Sequence, residues 1–254
     1  MWFLFHFSRQ KLIALITVLT LHFTDCFDTE TCGMSCQQPS TAVVVYDESK
    51  LSPLVKTSRT FNFAKTELVI KQDWGNLGVA AVVWDAAIVL CEFIEKYKEE
   101  FKNKEVIELG AGSGIVGIVA ALIGANVVIT DREQVYPYLK RVLKDNLKDK
   151  ENVKYSVKIL DWTRDLHKIP QKYDIILGAD VIYVEEVFDA LLATLQHLSH
   201  DETKIYLSCK IRYDRDTRFL DMVQKHFTLQ EVLHDKDKDI KIFLCKKIKI
   251  KILS

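Results

Sequence analysis

Apolar residues fall in short blocks along the chain, and the spacing within each block separates strand from helix. Two alternating runs, Thr60 to Ala64 and Glu67 to Lys71, flank Lys65-Thr66 and predict a β-hairpin. A long helix is predicted over Val79 to Tyr97, nearly apolar through its first half, as suits a helix packed on a sheet. Next come a buried strand at Val106 to Leu109 and a buried helix at Ile115 to Leu122, closed by Gly124. A second apolar strand ends at Asp131, and an amphipathic helix at Gln134 to Leu147 is interrupted early by Pro137. Strands at Val153 to Ile159 and Tyr173 to Ala179 precede a helix at Val184 to Leu198, whose Val187, Leu191, Leu195 and Leu198 keep helical spacing. A strand at Lys204 to Ser208 and a helix at Thr217 to His226 lead to two closing strands, Thr228 to His234 and Ile240 to Lys247. The charged turn Asp235 to Asp239 joins them.

Strands that alternate with helices predict an α/β fold with a doubly wound, mostly parallel sheet of seven strands. The short turn between the last two strands requires an antiparallel hairpin at the C-terminal edge. The hairpin near residue 60 is an N-terminal extension to that sheet.

At 254 residues and 48% hydrophobic, the chain suits one α/β domain with a short appendage. Lys+Arg and Asp+Glu both number 35, and no basic stripe interrupts the middle of the chain, so a nucleic-acid partner is not expected. The basic tail, Lys246-Lys247-Ile248-Lys249-Ile250-Lys251, alternates like a solvated edge strand. Of six cysteines, Cys26, Cys32 and Cys36 cluster near the start. Cys91, Cys209 and Cys245 read as small hydrophobes in a reducing compartment. No C-x-x-C pair occurs, so neither a zinc ribbon nor a thioredoxin-like site is expected, and no metal is assigned.

Arg9 and Lys11 precede an apolar run from Leu12 to Leu21 that is too short to span a membrane and resembles a signal-peptide core. Thr24-Asp25-Cys26 fits a cleavage site poorly, and Cys26 to Ser40 reads as a linker. A secretory leader, a signal anchor and extra translated sequence all fit. The expectation is that residues 1–40 stand outside the fold and that 41–254 form the domain.

The chemistry concentrates between Val106 and Asp131. A strand ends in three alternating glycines, Gly110, Gly112 and Gly114; a helix follows, and the next strand ends in an acid. Open α/β sheets bind nucleosides beyond the carboxyl ends of their strands, and Asp131 is placed to accept two hydrogen bonds from a ribose diol. Gly112-x-Gly114-x-x-Gly117 also satisfies the dinucleotide fingerprint. A dinucleotide oxidoreductase and an S-adenosylmethionine methyltransferase therefore both fit at this point. Asp161-Trp162 follow the third strand, where Trp162 offers a flat wall for a purine. Ala179, Asp180 and Tyr183 follow the fourth. Glu108 sits among apolar neighbours, where its carboxylate suits either a bound ammonium or nearby backbone N–H groups.

Taken together, several stretches resemble the seven-β-strand protein lysine methyltransferases. They are Gln72-Asp73-Trp74, G-V-A-A-V-V-W-D-A-A-I-V-L from Gly78, E-L-G-A-G-S-G-I-V-G-I-V-A-A-L from Glu108 and I-T-D ending at Asp131. L-G-A-D-V-I-Y from Leu177 and I-R-Y-D-R-D from Ile211 complete the set. The similarity runs from about Ala42 to Lys247. It implies a class I S-adenosylmethionine-dependent methyltransferase, with Trp84, Gly110, Ala111, Gly112, Asp131, Trp162 and Ala179 lining the cofactor site alongside Glu108. The D-x-x-Y element, Asp180 to Tyr183, stands where amide- and adenine-methylating relatives carry Asn-Pro-Pro-Tyr. The resemblance thus implies Asp180 and Tyr183 as the catalytic pair and a lysine as acceptor, on a protein substrate of the 70-kilodalton heat-shock chaperone class, the alternatives being another protein (an ATPase or a translation factor) or a small molecule. It further implies a monomeric, cytoplasmic enzyme whose catalytic domain needs no membrane. The first forty residues have no counterpart in that family, which favours an alternative start over secretion.

Overall fold

The computed structural model describes residues 52–249. The apolar leader, the 26–40 linker with Cys26, Cys32 and Cys36, the boundary at residue 41 and the last residues of the basic tail lie outside the described residues.

Strands β1 (Ser58–Phe63) and β2 (Thr66–Lys71) pair antiparallel as a separate two-stranded sheet. Their turn, Ala64-Lys65, has φ of 49° and 58°, the left-handed geometry that matches strand twist in a two-residue hairpin. A one-turn helix α1 (Trp74–Leu77) is capped by the Asp73 carboxylate, which accepts the Asn76 N–H.

The predicted helix from Val79 is broken. A 3₁₀ turn spans Gly78–Ala81, the chain extends through Val82 and Trp84, and helix α2 begins only at Asp85, running to Lys96. The cause is visible at Val83. Its N–H donates to Gln72 Oε1 and its carbonyl accepts from Arg59, so neither group is free for a helical ladder.

The main sheet follows from β3 (Glu105–Leu109), β4 (Asn126–Asp131), β5 (Lys154–Ile159), β6 (Tyr173–Ala179), β7 (Ser199–Cys209), β8 (Phe227–Asp235) and β9 (Ile240–Lys247). Among the described residues its order is β5-β4-β3-β6-β7-β9-β8. Strands β3 to β7 pair in parallel, and β9 is antiparallel to both β7 and β8. This is the doubly wound α/β fold with a C-terminal edge hairpin that the pattern predicts. Strand β9 is paired on both sides from Lys241 to Cys245; Lys246 and Lys247, where the basic tail begins, pair with β8, and Lys247 donates to the Ser199 carbonyl.

Helices α3 (Ile115–Leu122), α4 (Tyr136–Leu147), α5 (Phe188–Leu198) and α6 (Asp214–Gln224) complete the layers. Pro137 does not interrupt α4. It occupies the first turn, where a missing N–H costs nothing. Helix α6 starts earlier than predicted because Asp216, buried at its N3 position, accepts the N–H groups of Arg212 and Tyr213.

Successive strand residues feed two cores. Val106, Ile175 and Leu177 join Leu90, Ile94, Ile118 and Leu139 on one face. Ile107, Leu109 and Ile176 join Leu191, Leu195, Phe219 and Val223 on the other. Cys91, Cys209 and Cys245 are buried free thiols within these cores, as small apolar residues would be. The chain leaves β3 toward β4 on one side, while β6 flanks β3 on the other. That reversal opens a crevice at the carboxyl ends of β3 and β6.

Candidate active site

The crevice is built outward from the β3–α3 loop. The Ala111 N–H donates to the Thr130 carbonyl, and the Gly112 N–H donates to Asp131 Oδ2 at 2.7 Å. The second Asp131 oxygen accepts the Arg132 N–H, also at 2.7 Å. The acid at the end of β4 therefore anchors the glycine loop while keeping further acceptor positions. Burial pushes the Asp131 carboxyl up, and the two N–H donors pull the other way.

Gly112 is held at φ +53°, and a Cβ there would stand 2.8 Å from the Ala80 carbonyl oxygen. The loop and the 78–84 stretch thus meet backbone to backbone. Trp84 ends that stretch as the residue before α2, with its indole N–H donating to the Val79 carbonyl. It is not one apolar residue inside a buried helix, as the pattern suggested.

Glu108 is 2% exposed, and its Oε2 accepts the Gly117 N–H at 2.9 Å. Of the two roles open to it in the sequence, the structure displays the backbone one: it caps α3 from the preceding strand. Gly117 must be glycine for this reason, because a Cβ would lie 2.5 Å from that same oxygen. The third glycine of the apparent dinucleotide fingerprint is therefore a packing requirement. Burial pushes the Glu108 carboxyl up to about 8, with the Asp131 charge acting in the same direction and the Gly117 N–H against it.

Trp162, half-buried against the second core, lies over the loop. A Cβ on Gly110 would stand 3.3 Å from its Cζ2. Ala179 closes β6, and Asp180 follows at φ +54° with its N–H donating to the Ser208 carbonyl. Tyr183 is 45% exposed, and Asp131, Arg132 and Asp180 all act electrostatically on its hydroxyl. Gly110, Gly112, Asp131, Trp162, Asp180 and Tyr183 are thus brought to one edge of the sheet.

Sequence reasoning gave no role to Arg212. Its Nη1 and Nη2 donate to Asp180 Oδ1 and Oδ2, each at 3.0 Å, across 32 residues of sequence. The one signal was its position within I-R-Y-D-R-D. Gln72, likewise quoted only as motif, is buried and donates to the Pro53 and Lys56 carbonyls while accepting the Val83 N–H.

A family model described as lysine methyltransferase matches residues 62–226. The chain belongs to the lysine methyltransferase family. It is 50% identical to the zebrafish (Danio rerio) protein N-lysine methyltransferase METTL21A over 206 residues, which cover 80% of this chain and 94% of that protein. The mouse (Mus musculus) METTL21A is 46% identical, covering 81% and 96%. EEF1A lysine methyltransferase 3 of Xenopus tropicalis is 42% identical, covering 72% and 82%. Among solved structures, the Thermus thermophilus 16S rRNA N2 G1207 methyltransferase in complex with AdoMet and guanosine superposes with a TM-score of 0.56. It is 19% identical, with 75% of this chain and 50% of that chain covered. Magnesium protoporphyrin IX methyltransferase from Synechocystis gives 0.51 at 15% identity, covering 64% and 82%. At such identities these two establish the fold alone.

Family membership makes the chain a protein N-lysine methyltransferase that uses S-adenosylmethionine. The residues present fit that cofactor. Asp131 retains acceptor capacity suited to a ribose diol, the Gly110–Gly112 loop is only half-buried, and the Trp162 ring stands beside Gly110.

Proposed function

We propose that this lysine methyltransferase acts on 70-kilodalton heat-shock chaperones, with Asp180 and Tyr183 on the acceptor side of the crevice. Trp84, Gly110, Ala111, Gly112, Asp131, Trp162 and Ala179 would hold the donor, and Glu108 would serve it by fixing α3 beneath the loop. One observation carries the site assignment: a glycine loop stitched to Asp131 faces Asp180 across the point where the strand order reverses.

When bound, S-adenosylmethionine would supply an electrophilic methyl group for a new N–C bond at the lysine nitrogen, its C–S electron pair departing on sulfur. The chain's own residues have three tasks. Asp131 orients the nucleoside through its remaining lone pairs. Asp180 orients the ε-amine, which must first release a proton to water, since free lysine has a pKa of about 10.4. The exposed Tyr183 ring lines the entry and attracts a cationic side chain through its face. Lining up donor and acceptor is the main catalytic contribution asked of the protein. S-adenosylmethionine is an intracellular metabolite, which supports action in the cytoplasm.

The likeness from Ala42 to Lys247 supports the chaperone as substrate. A second reading, elongation factor 1A, is favoured by the Xenopus relative named for it. Incubation with methyl-labelled donor and each purified candidate, followed by peptide mass spectrometry, separates them. Label on a chaperone lysine is the expected result. Label on the elongation factor alone would transfer the assignment, and no label in any protein of a cell lysate would refute both.

A further inference from the structure

The Asp180 carboxylate faces the crevice already ion-paired. Arg212 grips both of its oxygens at 3.0 Å in the fork-to-fork geometry specific to a guanidinium. The Asp180 side chain is 11% exposed and that of Arg212 36%. Both ends of the pair are anchored by backbone. The Asp180 N–H donates to Ser208 on β7, and the Arg212 N–H donates to the buried Asp216 carboxylate at the start of α6. A surface pair formed by chance has no such foundation on two elements.

We infer that Arg212 is a positioning residue that fixes Asp180 at the crevice and offsets its negative charge, so that an incoming lysine can shed its proton. The inference rests on the reading of Asp180 as the carboxylate that meets the amine. A lone carboxylate beside an ammonium holds the proton on; an opposite charge within about 4–6 Å shifts a pKa by roughly 1–3. The guanidinium cancels much of that pull yet leaves lone pairs on Asp180 to accept a hydrogen bond from the nitrogen. Among the described residues several charged and titratable groups surround this point, including Arg215, whose Nε lies 3.6 Å from Asp216 Oδ1. Tyr183 stands in the same loop, and Asp131 and Arg132 approach it from the end of β4. Cys209 on β7 feels both Asp180 and Arg212, and Asp216 lies behind Arg212. The charge of Asp180 raises the proton affinity of Arg212 itself, so the guanidinium stays charged throughout.

The test is the pH dependence of initial rates, from pH 6.5 to 10, for the full chain and for Arg212→Gln, Arg212→Lys and Asp180→Asn. Thermal melting and S-adenosylhomocysteine calorimetry on each variant establish folding and donor-site integrity. Arg212→Gln is expected to move the rising limb of kcat upward by about one pH unit, with roughly tenfold lower kcat at pH 7.5 and KM unchanged or lower. Its rate recovers at high pH. Arg212→Lys keeps the positive charge and is expected to hold the limb nearer the parent position. An Arg212→Gln rate that falls equally at every pH, or a profile that superimposes on the parent, overturns the inference. Asp180→Asn distinguishes the two layers. If it retains parental turnover, the reading of Asp180 fails and the role of Arg212 goes with it. If it is crippled while the Arg212→Gln profile is unmoved, only Arg212 is misassigned.

Discussion

Replacing Glu108 with Gln isolates the most perturbed carboxyl in the crevice floor. Glu108 is 2% exposed, accepts a single N–H from Gly117 and is pushed up to about 8 by burial. In the unfolded chain a glutamate titrates near 4.3. Below that value both states hold the proton and the group is neutral to stability. Between about 4.3 and 8 only the native state holds it, so native stability declines as pH rises, at about 1.4 kcal/mol per pH unit. Above 8 both states are ionised and the loss is complete. A buried glutamine has no such slope, although its amide adds a constant offset. Urea unfolding of both proteins at pH 5.5, 7.0 and 8.5 reads the difference directly. The variant should gain on the parent by about 3 kcal/mol from the lowest to the highest pH. A gap that stays constant with pH would mean that the native carboxyl is ionised throughout, and the burial argument would be wrong.

Three further outcomes are expected. Gly112→Ala forces a left-handed φ on a residue with a Cβ, costing about 1–2 kcal/mol, and drives that atom toward the Ala80 carbonyl 2.8 Å away. Its melting temperature and its S-adenosylhomocysteine affinity should fall together; an unchanged affinity would detach the loop from the donor site. Asp131→Ala removes a charged acceptor and should weaken S-adenosylhomocysteine binding by about 2 kcal/mol, roughly thirtyfold in Kd by calorimetry. Asp180→Ala should reduce turnover strongly with much less change in that Kd, and equal losses in both would reassign Asp180 to the donor pocket.

The sheet was legible because its strands are apolar runs bounded by breakers, and β6, α3 and β9 fall where periodicity places them. Element starts were less so, since they are set by partners distant in sequence. Gln72 and Arg59 claim the Val83 backbone and delay α2. Asp216 draws α6 back to Asp214. Of the residues proposed to hold the donor, Gly110, Ala111, Gly112 and Asp131 lie close together and their spacing could be read, whereas Trp84 could not, because the pattern ran its stretch into a helix. On the proposed acceptor side Asp180 and Tyr183 were legible through the D-x-x-Y likeness, but Arg212 was not, because it reaches Asp180 only through the pairing of β6 with β7. Likewise, nothing in the spacing chooses between a bound ammonium and backbone N–H groups as the partner of Glu108, whereas the fold displays its bond from the Gly117 N–H.

Gln72 gives the N-terminal hairpin a purpose beyond covering the core. One buried amide joins the segment before β1 to the strip that rests on the glycine loop, and Tyr138 adds a second tie from α4 to the Lys71 and Ala81 carbonyls. The hairpin segment thus braces the strip that rests on the glycine loop. A protein trimmed to the seven-stranded sheet would keep its foundation yet lose the ties that hold the 78–84 strip against the glycine loop.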